Sequence, residues 1–245
     1  MENRKQAYFS KQEKALWLGS VLAIAGSFYL AEGGGTLTLA ASLVGVTSLI
    51  FCAKGNPVGQ LLMIVFSLFY GMISLSFRYY GEMLTYLGMT LPMAVFSLAA
   101  WMKNPYQGNA AEVEIRRLPR AEWLWMAALS ALVTAAFYFI LAYFQTANLL
   151  PSTISVTTSF AAVFLTFRRS PYYALGYAAN DIVLIVLWAM ATAKDPSYLS
   201  VTVCFITFLV NDLYGFFNWR RMEKRQAAEA ARREVSQKSF FNRER

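Results

Sequence analysis

Two aspartates interrupt long apolar runs, and their surroundings repeat: "AANDIVLIVLW" covers 178–188 and "LVNDLYGFFNW" covers 209–219. Asparagine precedes each aspartate and tryptophan follows seven residues later, two helical turns on, so Asp181 shares a helix face with Trp188 and Asp212 with Trp219. A carboxylate so placed can carry a proton, offset the charge of a bound cation, or clamp helices by hydrogen bonding. Group-transfer chemistry lacks its parts. The chain has no histidine, so no serine or cysteine has an imidazole base, and Cys52 and Cys204 have neither pairing nor metal-ligand spacing. The glycine cluster "EGGGT" at 32–36 reads as a turn rather than a phosphate loop. No enzyme, cofactor or metal site is expected.

Other polar and aromatic residues fall into register with the aspartates. Asn211, Tyr214, Gly215 and Asn218 recur at i, i+3, i+4 and i+7, and Tyr177, Asn180 or Asp181, Leu184 and Trp188 form a facing stripe. Gln60 is the one amide inside an apolar run of the first half. The expected site is therefore Gln60, Tyr177, Asn180, Asp181, Trp188, Asn211, Asp212, Tyr214 and Asn218, with amides for hydrogen bonding and rings for stacking. A packing role is open for each: the Asn-Asp pairs as interhelical clamps, the rings as core or interfacial residues, and Gln60 as a partner for backbone near Pro57.

The elements that carry these residues belong in a bilayer. Apolar residues make up 57% of the chain and charged ones 15%, too few charges to cover a soluble surface. A net charge of +8 with no basic soluble module argues against nucleic acid. Eight runs are long enough to cross a hydrocarbon core of ~30 Å: 14–31, 35–52, 57–77, 83–102, 121–144, 149–167, 171–193 and 197–219. Pro92 alone lies inside a run and predicts a kink. Both Asn-Asp pairs then sit roughly 12–14 Å from the same boundary, near the midplane, at 1.5 Å per residue.

Eight spans divide the loops between two sides. Twenty of the 22 lysines and arginines fall with the two termini, leaving Arg78 and Lys194 opposite, so both termini are expected in the cytoplasm. Trp17, Trp101, Trp123, Trp125 and Trp219 lie at that end and read as an interfacial belt. The basic segment 220–245 reads as a helical extension fraying into a tail that meets lipid headgroups.

The halves echo each other. "KGNPVGQ" at 54–60 pairs with "RRSPYYA" at 168–174, and "AAWMKN" at 99–104 with "FNWRR" at 217–221. A shift of 114 aligns Pro57 with Pro171, and 118 aligns Trp101 with Trp219. The expected fold is an all-α integral membrane protein of eight transmembrane helices: an extra N-terminal helix (1–34), a first three-helix repeat (35–102), a cytoplasmic loop and linker helix (103–148), a second repeat (149–219) and a basic tail (220–245). Both repeats enter the membrane in the same direction, a plan used by transporters with a central site.

On "NDIVLIVLW", "NDLYGFFNW" and this three-plus-one-plus-three plan over 35–221, the chain resembles the PnuC family of nicotinamide riboside transporters. The resemblance implies facilitated diffusion of nicotinamide riboside across the bacterial inner membrane, drawn inward by cytoplasmic phosphorylation of the product. It also implies a homotrimer and an architecture related to SWEET sugar transporters. A proton-coupled carrier using Asp181 or Asp212, or a SWEET-like sugar or nucleoside transporter, is the alternative.

Overall fold

In lipid, every backbone N–H and C=O must be satisfied inside its own segment, so apolar runs of this length fold as helices. The computed structural model of the chain describes residues 8–31, 35–76, 80–146 and 148–243. Glu32 to Gly34 of the expected turn, and Arg4, Lys5, Arg78 and Arg245 of the charge partition, lie outside them. The helices are α1 (Lys11–Leu30), α2 (Thr36–Ala53), α3 (Val58–Ser76), α4 (Tyr80–Thr85), α5 (Leu91–Lys103), α6 (Arg120–Tyr143), α7 (Leu149–Phe167), α8 (Tyr173–Thr192) and α9 (Leu199–Arg243). A π-helical turn, Tyr86–Thr90, joins α4 to α5 into one span.

That turn occupies the place of the expected kink. Pro92 has no N–H to return to the preceding turn, and the Leu91 N–H donates five residues back, to the Tyr86 carbonyl. Seven segments among the described residues are apolar and long enough to cross a membrane: α2, α3, α4 to α5, α6, α7, α8 and α9. Helix α1 matches them in length, but Glu13 and Lys14 lie near its start. Ser10 and Glu13 cap it reciprocally, each accepting from the other's backbone N–H at 3.2 and 2.7 Å.

Packing falls into two matching units. Helix α2 packs on α3 and α3 on α4 and α5; likewise α7 packs on α8 and α8 on α9. The units meet by exchange of ends, α2 against α9 and α5 against α7. Two hydrogen bonds record the exchange: the Trp101 indole donates to the Thr166 carbonyl at 3.0 Å, and the Trp219 indole to the Cys52 carbonyl at 2.8 Å. Donors are 118 residues apart and acceptors 114, the two offsets already present in the sequence. Trp101 and Trp219 are both 0% exposed, with ring centroids 5.3 Å apart, so they belong to a plug of buried aromatics rather than to the interfacial belt expected of them. Trp17, Trp123 and Trp125 keep exposed faces, as a belt requires.

Glu13 also accepts from Lys54 Nζ at 3.1 Å and from the Tyr214 hydroxyl at 3.0 Å, while Asn211 Nδ2 donates to Ser20 Oγ at 2.8 Å. These bonds hold α1 in the seam between α2 and α9. Glu122, at the third position of α6, pairs with Arg168 after α7, as Glu13 at the third position of α1 pairs with Lys54 after α2. Helix α1 thus stands to α2 as α6 stands to α7.

The loop after α5 forms a two-stranded antiparallel hairpin, β1 (Pro105–Tyr106) and β2 (Asn109–Val113). It clasps the continuation of α9: the Tyr106 hydroxyl donates to Glu229 at 2.7 Å, the Ile115 N–H to Gln226 Oε1 at 2.9 Å, and Arg117 pairs with Glu223 at 2.6 Å. The C-terminal extension is helical, as expected, and the helix runs on to Arg243. At the other end of the α2–α3 turn, a Cβ on Gly59 would meet the Cys52 amide nitrogen at 2.6 Å and the Ser48 carbonyl oxygen at 3.0 Å. Backbone cannot yield as a side chain can, so Gly59→Ala is expected to lower stability by about 1–3 kcal/mol, read as reduced thermal unfolding temperature in detergent.

Candidate functional site

A cavity of about 370 Å³ opens among α4, the π turn, α6, α7 and α8. Its rim is built from the α6–α7 and α8–α9 turns, with Phe144, Gln145, Asn148, Lys194 and Tyr198, so it faces the end opposite the basic loops. Inside it are Glu82, Thr85, Tyr86, Ser155, Ser159 and Trp188. Ser159 lies ten residues into α7, roughly 15 Å from the helix start at 1.5 Å per residue, which brings the cavity floor to mid-membrane depth. The volume falls within the ~300–1,000 Å³ of small-molecule pockets.

Aromatic packing fixes the walls. Trp188 is buried in α8 with its ring 5.6 Å from Tyr198, and Tyr86 is backed by Tyr70 at 4.5 Å and Phe66 at 5.8 Å. Ser155 Oγ donates to Asn180 Oδ1 at 3.1 Å, and Thr158 Oγ1 to the same oxygen at 2.9 Å, so Asn180 sets the α7 wall from one hydrogen bond behind it. Toward the basic end, Trp101, Tyr173 and Trp219 close the bundle in one buried cluster with Cys52 and Val113. The cavity is open at one end and plugged at the other.

The nine residues singled out in the sequence separate into three places. Trp188 lines the cavity and Asn180 supports its wall. Asp181 and Asp212 lie close to each other across the α8–α9 contact, buried and away from the cavity lining. The remaining five lie outside the cavity lining, four of them bonded to α1 or α2 and Tyr177 beside the aromatic plug. Asn211 reaches Ser20, Tyr214 reaches Glu13, Asn218 Nδ2 donates to the Ala53 carbonyl at 2.7 Å, Gln60 Nε2 donates to Cys52 Sγ at 3.3 Å, and Tyr177 packs edge-on to Tyr173 at 6.2 Å. Glu82, Tyr86, Ser155 and Ser159 line the cavity without having been singled out. The spacing of Ser152, Ser155 and Ser159, i, i+3 and i+7 on α7, carried a signal for that wall.

Membrane-spanning helices that enclose a polar and aromatic cavity, open to one end and plugged at the other, define a helical membrane transporter rather than an enzyme. The profile of the family described as "Nicotinamide mononucleotide transporter" matches residues 35–221, and the chain belongs to that family. It is 27% identical over 221 residues to "Nicotinamide riboside transporter PnuC" of Neisseria mucosa, covering 88% of this chain and 84% of that protein. The Haemophilus influenzae protein of the same name is 23% identical over 225 residues, covering 90% and 96%. Among solved structures, the crystal structure of the vitamin B3 transporter PnuC superposes with a TM-score of 0.76 at 25% identity, covering 89% of this chain and 94% of that one.

Proposed function

We propose that this transporter carries nicotinamide riboside by facilitated diffusion, with net uptake drawn by phosphorylation of the riboside in the cytoplasm. The observation that carries the reading is the cavity itself, where Trp188 and Tyr86 offer faces to a flat ring and Ser155 and Ser159 offer hydroxyls to a ribose or carboxamide. A pyridinium ring over a desolvated indole gains about 2 kcal/mol. Twenty of the 22 lysines and arginines lie with the termini, which supports a cytoplasmic placement of both termini and of the basic end. The cavity then faces the periplasm of an inner-membrane protein, and release inward requires the Trp101–Trp219 plug to part. The boundaries 35–102 and 149–219 are two repeats in this reading, with 1–34 and 103–148 supplying α1 and α6. Helix α6 leaves Leu132 and Phe139 well exposed, an apolar face for lipid or for the neighbouring copies of a homotrimer.

Although the family description names the mononucleotide, Lys194 is the one basic residue lining the cavity among the described residues, and it sits exposed at the rim. Purified protein is expected to bind nicotinamide riboside saturably in calorimetry and the mononucleotide at least about tenfold more weakly, for want of a buried phosphate partner. Equal affinities would contradict riboside selectivity. A second reading, proton coupling, rests on the closeness of Asp181 and Asp212, two acidic side chains buried beside each other inside the bundle. Liposome uptake with and without a pH gradient separates the two: equal initial rates support facilitated diffusion, and a gradient-dependent rate supports coupling.

A further inference from the structure

Burying an acid in a bilayer is costly unless the acid is matched, and Glu82 is the carboxyl group that lines the cavity. It lies in the first turn of α4, close to Tyr70. Its Oε2 is inaccessible to solvent and has no hydrogen-bond partner. Asp181 and Asp212 lie beside each other away from the cavity, and the remaining charged lining residue among the described residues, Lys194, stands at the exposed rim in the α8–α9 turn. Glu82, with one carboxylate oxygen unmatched, thus lines the same cavity as the aromatic side chains of Tyr86, Trp188 and Tyr198.

We infer that Glu82 is a specificity-determining residue that selects a flat monocation, an N-substituted pyridinium, over its neutral counterpart. The carboxylate supplies the charge and the rings supply the faces, so the two act on different properties of one ligand. A neutral ring of the same shape keeps the stacking and loses the charge interaction. This assignment rests on the riboside reading above, and it places the counter-charge on α4 rather than on the Asn-Asp pairs.

The test compares oxidised nicotinamide riboside, which is cationic, with the reduced riboside, which is neutral, in calorimetry on purified full-length protein and Glu82→Gln. The glutamine keeps the shape and a hydrogen-bonding oxygen while removing the charge. Expected is a roughly tenfold loss of affinity for the cation with the neutral form within about twofold, so that the preference ratio collapses. Binding of the neutral form also reports that the variant is folded. An unchanged ratio in Glu82→Gln, with wild-type protein binding both forms, overturns the role of Glu82 and leaves the riboside reading standing. Equal loss for both forms overturns it too, because the residue would then act on the shape of the site. Absence of riboside binding to wild-type protein removes both.

Discussion

Trp188→Leu is expected to weaken nicotinamide riboside binding roughly 5- to 30-fold, the equivalent of the about 1–2 kcal/mol that a cation gains over a desolvated aromatic face. Leucine fills part of the indole volume in a wall already packed by Leu184 and Tyr198, so the bundle retains its apolar contacts while the flat face is lost. Calorimetry on the purified variant measures the effect, with intrinsic fluorescence during thermal unfolding as the check on folding. Unchanged affinity in a folded Trp188→Leu protein would mean that the ring binds elsewhere. Asn211→Ala is the informative contrast. Asn211 bonds Ser20 and the Thr207 carbonyl, so its loss is expected to loosen α1 and lower stability while leaving affinity within about twofold.

The second large effect concerns the plug. Trp219→Ala is expected to cost about 3–5 kcal/mol, the range for truncating a fully buried tryptophan, because its indole packs on Trp101 and Tyr173 and donates to the Cys52 carbonyl. Trp101→Ala should cost a similar amount through the matching bond to Thr166. Trp219→Phe keeps most of the packing and gives up one hydrogen bond, a cost of about 1 kcal/mol, because the Cys52 carbonyl still accepts from the Gly55 N–H. Unfolding midpoints of the three variants in one detergent give the comparison. A Trp219→Ala protein as stable as wild type would show that the two units are not held together there.

Much of this was legible in the residues, for physical reasons. Spans are legible because lipid forces long apolar runs into helices, and the basic loops fall on one side because lysine and arginine divide so unevenly. The offsets of 114 and 118 appear again as the acceptors and donors of the two crossed indole bonds. Side-chain direction was harder. Asn211, Tyr214 and Asn218 form a polar stripe on α9, and periodicity shows that they share a face without saying what that face meets. It meets α1 and the end of α2, so the extra N-terminal helix takes up much of that polarity. The acid in the cavity was hidden for a related reason. Glu82 lies at the edge of an apolar run, where a charge is ordinarily solvated, and only the approach of α6, α7 and α8 around it makes it an interior residue. Trp101 and Trp219 misled in the same way, since a tryptophan beside basic residues at a helix end fits an interfacial belt until the crossing of α2 and α9 buries it.

The most direct test is a structure of the protein determined with nicotinamide riboside bound. The arrangement described here predicts ligand density in the cavity between α4 and α8, against Trp188 and Tyr86 with the ring near Glu82. Density instead beside Asn211 and Tyr214, with α1 displaced from the α2–α9 seam, would contradict it.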